Sequence, residues 1–448
     1  ASRIYQALEK GARVIAVDPR RVQIADQADL SGRPDHSITE TSMSHESLCG
    51  VDDAFAGGGS LHLRLRPGTD VALFNGMMHV ILKHNLHNTS FTESRTEGFD
   101  ALRDNVLTFP PERVEEITGI PKYLIIEAAR LYAASDRSAI VFCMGVTQHT
   151  TGTDNVMVLS NLAMLCGQIG RKGTGVNPLR GQSNVQGACD VGGLPDVFPG
   201  YQPVQDPEIR KKFAEAWGAE LPREPGLTMM EMLAEAGRGI RAMLIMGENP
   251  VVSDPHARHI EEALQSLDFL AVMDIFLTET ARLADVVLPS ACFAEKDGTF
   301  TNTERRVQRI RRAVFPPGSA WTDDAILCRL GEILGRPMRY GSAAEIIEEI
   351  ASLTPIYGGI RYSRLGTNGL QWPCPDIDHP GTPRLHVDRF TRGRGKFHPV
   401  EFRAPAEEPD EHYPYILTTG RSFAQYHTGS MSRRSPSLAA ELNRAYIE

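Results

Sequence analysis

The sequence predicts an α/β fold built on mostly parallel sheets. Its 448 residues are enough for about three domains. A hydrophobic content of 41% and a charged content of 23% are typical of a folded globular chain. The decisive pattern is repeated: a short apolar run closes on Gly, Asp or Pro, and helical patterns alternate with such runs. Strands that alternate with helices indicate α/β units and a parallel sheet.

Five apolar runs are predicted as strands because each is too short and too apolar for an amphipathic helix. We expect both faces of these strands to be buried, as in parallel sheets. The runs are RVIAVD (13–18), AIVFCMG (139–145), AMLIMG (242–247), LAVMD (270–274) and DVVLP (285–289). Ligands bind outside the carboxyl ends of parallel strands. At any single strand end an ordinary turn explains the Gly or Asp equally well, whereas five such ends favour an extended ligand.

Helical patterns lie between these runs. Residues 122–135 (KYLIIEAARLYAAS) precede the second run, and residues 254–267 (DPHARHIEEALQSL) follow the third. In the later segment Asp254 is the predicted N-cap and Pro255 the first helical residue. Residues 411–421 (EHYPYILTTGR) predict a new strand that opens a further domain.

Residues 31–60 differ from the rest of the chain. They are polar, lack an apolar period and end in GGGS, which predicts a surface excursion with little regular structure. The chain also begins inside a helical pattern without a methionine and ends without a helix stop signal. We therefore expect it to be a fragment that is inactive by itself.

Charge and cysteine content exclude several classes of function. A net charge of −9 disfavours nucleic acid as a partner, and no apolar run approaches the roughly 18 residues of a membrane span. No cysteines are spaced C-x2-C, so an iron–sulfur ligand set or zinc ribbon is not expected. Seven scattered cysteines predict free thiols in a reducing compartment, and hence a cytoplasmic location. They are Cys49, Cys143, Cys166, Cys189, Cys292, Cys328 and Cys374.

The strongest chemical signal is the polar, Gly-rich run GVNPLRGQSNVQGACD at 175–190, whose only arginine is Arg180. Common dinucleotide, P-loop, zinc-protease and hydrolase motifs are absent from the sequence, and we expect His256 and His259 to be solvated. Glycines allow close backbone approach, and the glutamine and asparagine side chains both donate and accept hydrogen bonds. This composition suits a pterin or nucleotide cofactor. Arg180 is a candidate for bidentate binding of a small carboxylate, or equally for holding its own loop.

Five segments of the sequence are distinctive when they are taken together. They are MGVTQ (144–148), VNPLRGQSNVQGACDVGGLPDVFPGYQ (176–202), MGENP (246–250), QSLDFLAVMDIFLTETARLADVVLPS (265–290) and WPCPD (372–376). These segments resemble the molybdopterin oxidoreductases. The resemblance is strongest to the catalytic subunit of molybdenum or tungsten formate dehydrogenases, and it runs from about residue 5 to the end, apart from 31–60.

The resemblance implies a bis(molybdopterin guanine dinucleotide) cofactor with molybdenum or tungsten, in a cleft flanked by two doubly wound α/β domains. It implies formate as substrate and electron-transfer subunits or domains as partners. A [4Fe–4S] module and the Cys or selenocysteine metal ligand are expected upstream, so no metal ligand is assigned in this chain. The implied domains are 1–182 and 183–295 (the two α/β domains), 296–385 (connecting segments) and 386–448 (the start of a β-barrel-like domain).

The resemblance also implies roles for individual residues. Arg180 would orient formate beside the metal. Positions often occupied by Asp and Thr in the family are here Asn249 and Ser253. The residues matched to the cofactor are Asp18, Arg20 and Asp70 for one guanosine, Gly145, Gln148 and Gln182 beside the pterin, Gly247, Glu248, Asn249, Ser253, Asp274 and Asp323 for the second dinucleotide, and Arg421, His427 and Ser430 in the last domain.

Two other functions remain open at this stage. One is a different molybdopterin oxidoreductase, such as a nitrate reductase, which the run RGQSNVQGACD disfavours. The other is a non-catalytic scaffold resembling the large iron–sulfur subunit of NADH dehydrogenase, which the presence of Arg180 and of intact polar loops disfavours.

Overall fold

The chain forms two compact units in a computed structural model that describes residues 2–22, 61–422 and 424–441. The first unit comprises Ala1–Leu179 with Arg384–Thr418, and the second comprises Arg180–Pro383 with Thr419–Glu448. The surface excursion predicted for residues 31–60 lies outside the described residues, and the four-part domain division stays a prediction.

Helices and strands alternate along the described chain. The helices are α1 Ser2–Leu8, α2 Asp70–Lys83, α3 Thr89–Arg95, α4 Phe99–Val106, α5 Pro111–Thr118, α6 Lys122–Ala134, α7 Met144–Thr147, α8 Gly152–Leu165, α9 Val185–Asp190, α10 Pro207–Trp217, α11 Met229–Ala234, α12 Pro250–Ser253, α13 Ala257–Gln265, α14 Asp323–Ile333, α15 Ala343–Leu353 and α16 Pro436–Glu441. The strands are β1 Ile15–Val17, β2 Leu61–Leu63, β3 Thr96–Glu97, β4 Ala139–Phe142, β5 Gly175–Pro178, β6 Val197–Phe198, β7 Gln202–Pro203, β8 Ala242–Met246, β9 Phe269–Asp274, β10 Val286–Pro289, β11 Gly298–Thr301, β12 Arg306–Ile310, β13 Leu370–Gln371 and β14 Gly395–Lys396.

All five apolar runs form strands that pair in parallel, so the predicted α/β class is confirmed. β1 pairs with β2 and β4 pairs with β5 in the first unit. In the second unit β9 lies between β8 and β10, and all three run in the same direction. Antiparallel pairing also occurs in the second unit, in the sheet β11-β12-β13 and the hairpin β6-β7. None of the described sheets closes into a barrel.

The first unit is built around helix α2, which is buried along almost its whole length. Helices α5, α6 and α8 pack around it, and a helix that is apolar on all sides requires such a position. Helix α6 confirms the helix predicted for residues 122–135.

The late segment Arg384–Thr418 completes the core of the first unit. Phe397 and Val400 are buried in that core. Asn75 donates from Nδ2 to the carbonyl of Val400 at 2.8 Å. Asn161 holds the backbone of His398 from both sides, donating to its carbonyl at 2.6 Å and accepting from its N–H at 3.1 Å.

The parallel sheet of the second unit carries its own core. Helix α13 contributes Ile260 and Leu264, which pack with Ile245 of β8 and Val272 of β9. A separate core around Tyr357 lies beside the antiparallel sheet. This core anchors the strands of the parallel sheet, and the loops at their carboxyl ends are attached to it.

The expectation that both faces of the strands are buried is wrong for most of them. β9 is buried over four consecutive residues, whereas β4, β8 and β10 have several exposed side chains. The described sheets have only two or three strands. β8 and β10 are therefore edge strands, and β4 has a single neighbour, so fewer side chains cover them.

Two further expectations are corrected. Residues 411–421 form no strand in the described structure, because no described segment runs beside them to accept their backbone hydrogen bonds. Helix α13 begins at Ala257 after His256, which has a φ of 63°. Asp254 is extended and follows helix α12 as its C-cap, so the chain turns at Asp254–His256 before the next helix can begin.

Candidate functional site

Arg180 is held by one edge of its guanidinium. Its Nε donates to Oε1 of Gln186 at 2.9 Å, and its backbone N–H donates to Oγ1 of Thr303 at 3.0 Å. Its side chain is exposed, and Nη1 and Nη2 have no hydrogen-bond partner within the part of the chain that the structure describes. The two terminal nitrogens are thus available to bind an anion, while the hydrogen bond from Nε to Gln186 orients the guanidinium. The bond to Gln186 also ties Arg180 to its own loop, as the alternative role predicts, but it involves a side-chain oxygen and only the Nε atom of the guanidinium.

A buried polar network supports Gln186. Asp190 is fully buried, and its carboxylate accepts from Nε2 of Gln186 at 2.8 Å and from the hydroxyl of Tyr201 at 2.8 Å. Its other oxygen accepts from the hydroxyl of Tyr357 at 2.7 Å and from Nε1 of Trp372 at 2.6 Å. Asp190 and these aromatic partners are absent from the residues assigned from the sequence.

Gly181, which follows Arg180, has no side chain, and the segment that contains Arg421 and His427 lies close to it. A Cβ on Gly181 would lie 2.9 Å from Cε1 of His427 and 3.6 Å from an Nη atom of Arg421. The hydroxyl of Tyr426 donates to the carbonyl of Gly181 at 2.8 Å. The structure therefore brings Arg421 and His427 to the Arg180 loop, although they are far apart in sequence. Gln182 lies in the same loop with an exposed side chain.

His427 presents an unsatisfied nitrogen beside this loop. Its Nε2 is buried and has no hydrogen-bond partner among the described residues. Burial lowers the pKa of the imidazole, and the positive charge of Arg421 lowers it further. His427 is therefore neutral at pH 7 and offers a ring nitrogen to a ligand.

The carboxyl ends of the second unit's parallel strands gather several assigned residues. Gly247 follows β8 with a φ of +66°, which favours glycine, and a Cβ there would meet nothing within 4 Å. Burial raises the pKa of Glu248, and the charges of Asp254 and Asp274 raise it further. Burial also raises the pKa of Asp274 itself. The positive charge of Arg434 opposes the shift at Asp274 without cancelling it. This edge of the sheet combines open space beside Gly247 with two partly buried carboxylates.

Several buried oxygen atoms in the second unit have no hydrogen-bond partner among the residues that the structure describes. Two of them are Oδ2 of Asp254 and Oγ of Ser290, which follows β10. Buried polar atoms in folded proteins are nearly always hydrogen-bonded. A ligand rich in donors and acceptors would satisfy both atoms.

Asn249 connects three parts of the second unit through hydrogen bonds of its side-chain amide. Its Oδ1 accepts from the N–H and the hydroxyl of Thr280 at 3.1 and 2.8 Å. Its Nδ2 donates to Glu279 at 2.9 Å and to Oγ of Ser430 at 3.1 Å. The hydroxyl of Ser253 donates to the carbonyl of Asn249 at 3.1 Å. The assigned residues Asn249, Ser253 and Ser430 thus stabilise the loop from inside.

Asp323 and the histidine pair lie apart from these contacts. Asp323 forms an ion pair with Lys296. His256 and His259 are exposed and their rings stack, with centroids 5.6 Å apart, so the predicted solvation of these two histidines is confirmed.

The first unit has a comparable group of assigned residues. Asp18 follows β1, and its Oδ1 accepts from the backbone N–H of Arg20 at 2.8 Å. Asp70 opens helix α2, where burial raises its pKa while the charge of His149 lowers it. Gly145 and Gln148 lie at the short helix after β4. A Cβ on Gly145 would meet nothing within 4 Å, so this turn also leaves room for a ligand.

Three observations describe the chain more generally. None of the helices in the described ranges is both long and apolar enough to cross a membrane. The described cysteines are all free thiols, and burial raises the pKa of Cys166 to about 12. No group of three or more His, Cys, Asp or Glu side chains suited to a metal ion occurs among residues 2–22, 61–422 and 424–441.

The chain is similar to proteins of a known family. Residues 1–333 match the family model described as "Molybdopterin oxidoreductase". The F420-dependent formate dehydrogenase subunit alpha of Methanocaldococcus jannaschii is 51% identical over 452 residues, covering 100% of this chain and 62% of that relative. Formate dehydrogenase H of Escherichia coli is 39% identical over 447 residues, covering 98% of this chain and 58% of its own length. The chain thus spans about three fifths of the length of these curated relatives.

A solved structure shares the fold. Acetylene hydratase from Pelobacter acetylenicus superposes with a TM-score of 0.63 at 18% identity, over 99% of this chain and 63% of the other. The family model covers far more than half of the sequence. This chain therefore belongs to the molybdopterin oxidoreductase family.

Proposed function

We propose that this chain is part of the catalytic subunit of a formate dehydrogenase that oxidises formate to CO2 at a bis(molybdopterin guanine dinucleotide) centre. The observation that carries the proposal is the state of Arg180, whose Nε is held by Gln186 while Nη1 and Nη2 remain available. Similarity to relatives named as formate dehydrogenase subunits supports the same substrate.

The chemistry of formate explains why an arginine in this state is suitable. Formate offers almost no apolar surface, so charge and hydrogen bonds must position it. A guanidinium can hold both carboxylate oxygens in one plane. Binding through the two terminal nitrogens of Arg180 would direct the formate C–H bond away from the protein loop and towards the reaction centre. Oxidation of formate then yields CO2, one proton and two electrons.

The described residues fit a large pterin dinucleotide. Gly145 and Gly247 leave open space at two strand ends. Asp274 and Glu248 have raised pKa values because they are buried, and the N–H groups of a guanine base would pair with such carboxylates. Asp18, Arg20 and Asp70 would hold one dinucleotide, and the loop that follows β8 would hold the other. When bound, the cofactor supplies a molybdenum or tungsten ion that takes up two electrons.

Partners follow from the two electrons released. We propose a [4Fe–4S] cluster in the complete protein and electron-transfer subunits or domains that receive these electrons, with the complex in the cytoplasm. Two relatives are named as alpha subunits, which supports an assembly of several chains.

The test uses the complete protein, purified without oxygen. Molybdenum, tungsten and pterin are quantified, and reduction of a viologen dye is measured with formate. We expect one metal ion per protein and formate-dependent dye reduction. A metal-free, inactive protein would indicate the scaffold alternative. Reduction of nitrate by reduced dye, without formate oxidation, would indicate the nitrate reductase alternative.

A further inference from the structure

Asp190 is a buried carboxylate whose hydrogen-bond donors are all uncharged. Its two oxygens accept from Gln186, Tyr201, Tyr357 and Trp372 at 2.6 to 2.8 Å. The charge of Arg305 interacts with Asp190, but the two side chains form no ion pair within the described ranges. A buried charge is costly unless it is well solvated by donors, so this arrangement requires a specific reason.

The tyrosines are fixed as donors in this network. Burial raises the pKa of Tyr201, and the hydrogen bond to Asp190 raises it further. Burial and the charge of Asp190 also raise the pKa of Tyr357. Both hydroxyls therefore stay protonated, and Asp190 remains an acceptor on every side.

The charge of Asp190 determines the direction of the Gln186 amide. An ionised carboxylate only accepts hydrogen bonds, so the amide NH2 group must face Asp190. The amide oxygen is then left to face Nε–H of Arg180, at 2.9 Å. The reversed amide would set oxygen against carboxylate and NH2 against Nε–H, which is unfavourable at both ends. One buried charge thus selects which atom meets the arginine.

We infer that Gln186 and Asp190 are positioning residues that aim the terminal nitrogens of Arg180 at the carboxylate of the substrate. This inference rests on the proposed function. It adds a chain of two hydrogen bonds, in which Asp190 orients Gln186 and Gln186 orients Arg180. Trp372 and Tyr357 complete the support from positions 182 and 167 residues away from Asp190. Gln186 and Asp190 themselves do not contact the substrate.

The first experiment compares Gln186→Leu with Ser183→Ala in the complete holoenzyme. Leucine removes the acceptor for Nε, so formate should bind in a less productive orientation. We expect kcat for formate to fall at least ~10-fold while KM changes less than about 3-fold, because misorientation acts mainly on the transition state. Ser183 is an exposed residue of the same loop, and Ser183→Ala should keep both parameters.

Gln186→Glu provides a conservative replacement with a pH readout. A protonated carboxyl imitates the amide, because its O–H can donate to Asp190 while its C=O accepts from Arg180. Ionisation at higher pH would place a second negative charge beside Asp190. The titratable and charged groups around this position are Arg180, Asp190 and Tyr201, with Tyr357 and Arg305 behind Asp190. We expect near-normal kcat at low pH and a loss at high pH that the wild-type enzyme does not show.

Crystal structures of the wild-type and Gln186→Leu holoenzymes give a readout that does not depend on turnover. We expect the guanidinium of Arg180 to leave its wild-type orientation in the variant. An unmoved guanidinium, unchanged kcat, or loss of metal from the variant would each overturn the inference. If the wild-type enzyme does not oxidise formate, the proposed function fails, and the guanidinium comparison still decides whether Gln186 positions Arg180.

Discussion

Arg180 and Gln186 are joined by a hydrogen bond of 2.9 Å that occupies Nε of the arginine and no other guanidinium nitrogen. The backbone N–H of Arg180 is also bound, to Oγ1 of Thr303, so the main chain that carries the side chain is anchored as well. The exposed edge of the guanidinium is therefore the one formed by Nη1 and Nη2. This edge has the two parallel N–H directions that a carboxylate accepts best.

Replacing Arg180 with lysine tests this edge directly. Lysine keeps the charge but loses the planar pair of donors, so formate should bind and be poorly oriented. We expect Arg180→Lys in the complete enzyme to lower kcat/KM at least ~100-fold, or about 2.7 kcal/mol. Metal and pterin content should stay at the wild-type level, and both are measured beside formate kinetics. Loss of metal would instead identify Arg180 as a contact of the cofactor.

Gly145→Ala tests whether a cofactor lies against this backbone, because the substitution should affect cofactor binding without impairing folding. The residue lies in a short helix, and an added Cβ would meet no atom within 4 Å. Alanine in a helix should leave stability unchanged or raise it by about 0.5–1 kcal/mol. If a pterin approaches this backbone, the variant should nevertheless retain less cofactor after purification. Gly298→Ala is the control, because Gly298 also has open space around it and lies in β11, away from the assigned strand ends. Full pterin content in Gly145→Ala would contradict the assignment.

Asn249→Asp tests whether this side chain acts inside the protein. The amide NH2 group donates to Glu279, and this hydrogen bond is the largest influence that lowers the pKa of Glu279. An aspartate would place two carboxylates in contact, and we expect a loss of about 1 kcal/mol in unfolding free energy at pH 7. The introduced carboxyl would have a raised pKa in the folded protein, so stability should return as the pH falls towards 4.

The double variant Asn249→Asp/Glu279→Gln is the matched control for this experiment. It restores a donor opposite the new carboxylate and should recover the wild-type melting temperature. Unchanged stability in the single variant would show that the loop rearranges, and that position 249 is free to face a ligand.

Asp70→Asn should stabilise the first unit in a pH-dependent manner. Burial raises the folded-state pKa of Asp70 above its value of 3.8 in the unfolded chain. The contribution of Asp70 to stability is therefore most favourable below that unfolded value, and it is lost as the pH rises through the folded pKa. Asparagine does not titrate, so we expect a gain of about 1 kcal/mol at pH 7 and no gain at pH 3. Urea unfolding of both proteins at the two pH values measures this, and an equal gain at both would contradict the burial argument.

Local sequence patterns predicted the residues at the strand ends better than they predicted the hydrogen-bond network around Asp190. Gly247 and Asp274 could be assigned to carboxyl ends of strands because an apolar run and its closing residue are adjacent in sequence. Asp190 could not be assigned in the same way, since Tyr357 and Trp372 reach it from 167 and 182 residues away. Burial of both strand faces was predicted wrongly because composition does not reveal that a strand lies at the edge of a narrow sheet.

The strand predicted for residues 411–421 failed for a related reason. Its sequence has the aromatic and β-branched residues typical of strands, yet a strand exists only beside a partner, and the described chain provides none there. The roles assigned to Arg421 and His427 stay predictions, but both side chains lie close to Gly181, where an added Cβ would fall 2.9 Å from Cε1 of His427 and 3.6 Å from an Nη atom of Arg421.

The hydrogen bond between Asn75 and Val400 spans 325 residues of chain, and this has a consequence for biosynthesis. A ribosome completes helix α2 early, but Phe397 and Val400 emerge only after the whole middle of the chain has been translated. Until then the nascent first unit lacks part of its core, and its apolar helices remain accessible. Such long-range closure is slow and exposes aggregation-prone surface. We therefore expect the growing polypeptide to benefit from a chaperone that shields these helices until Val400 has been translated.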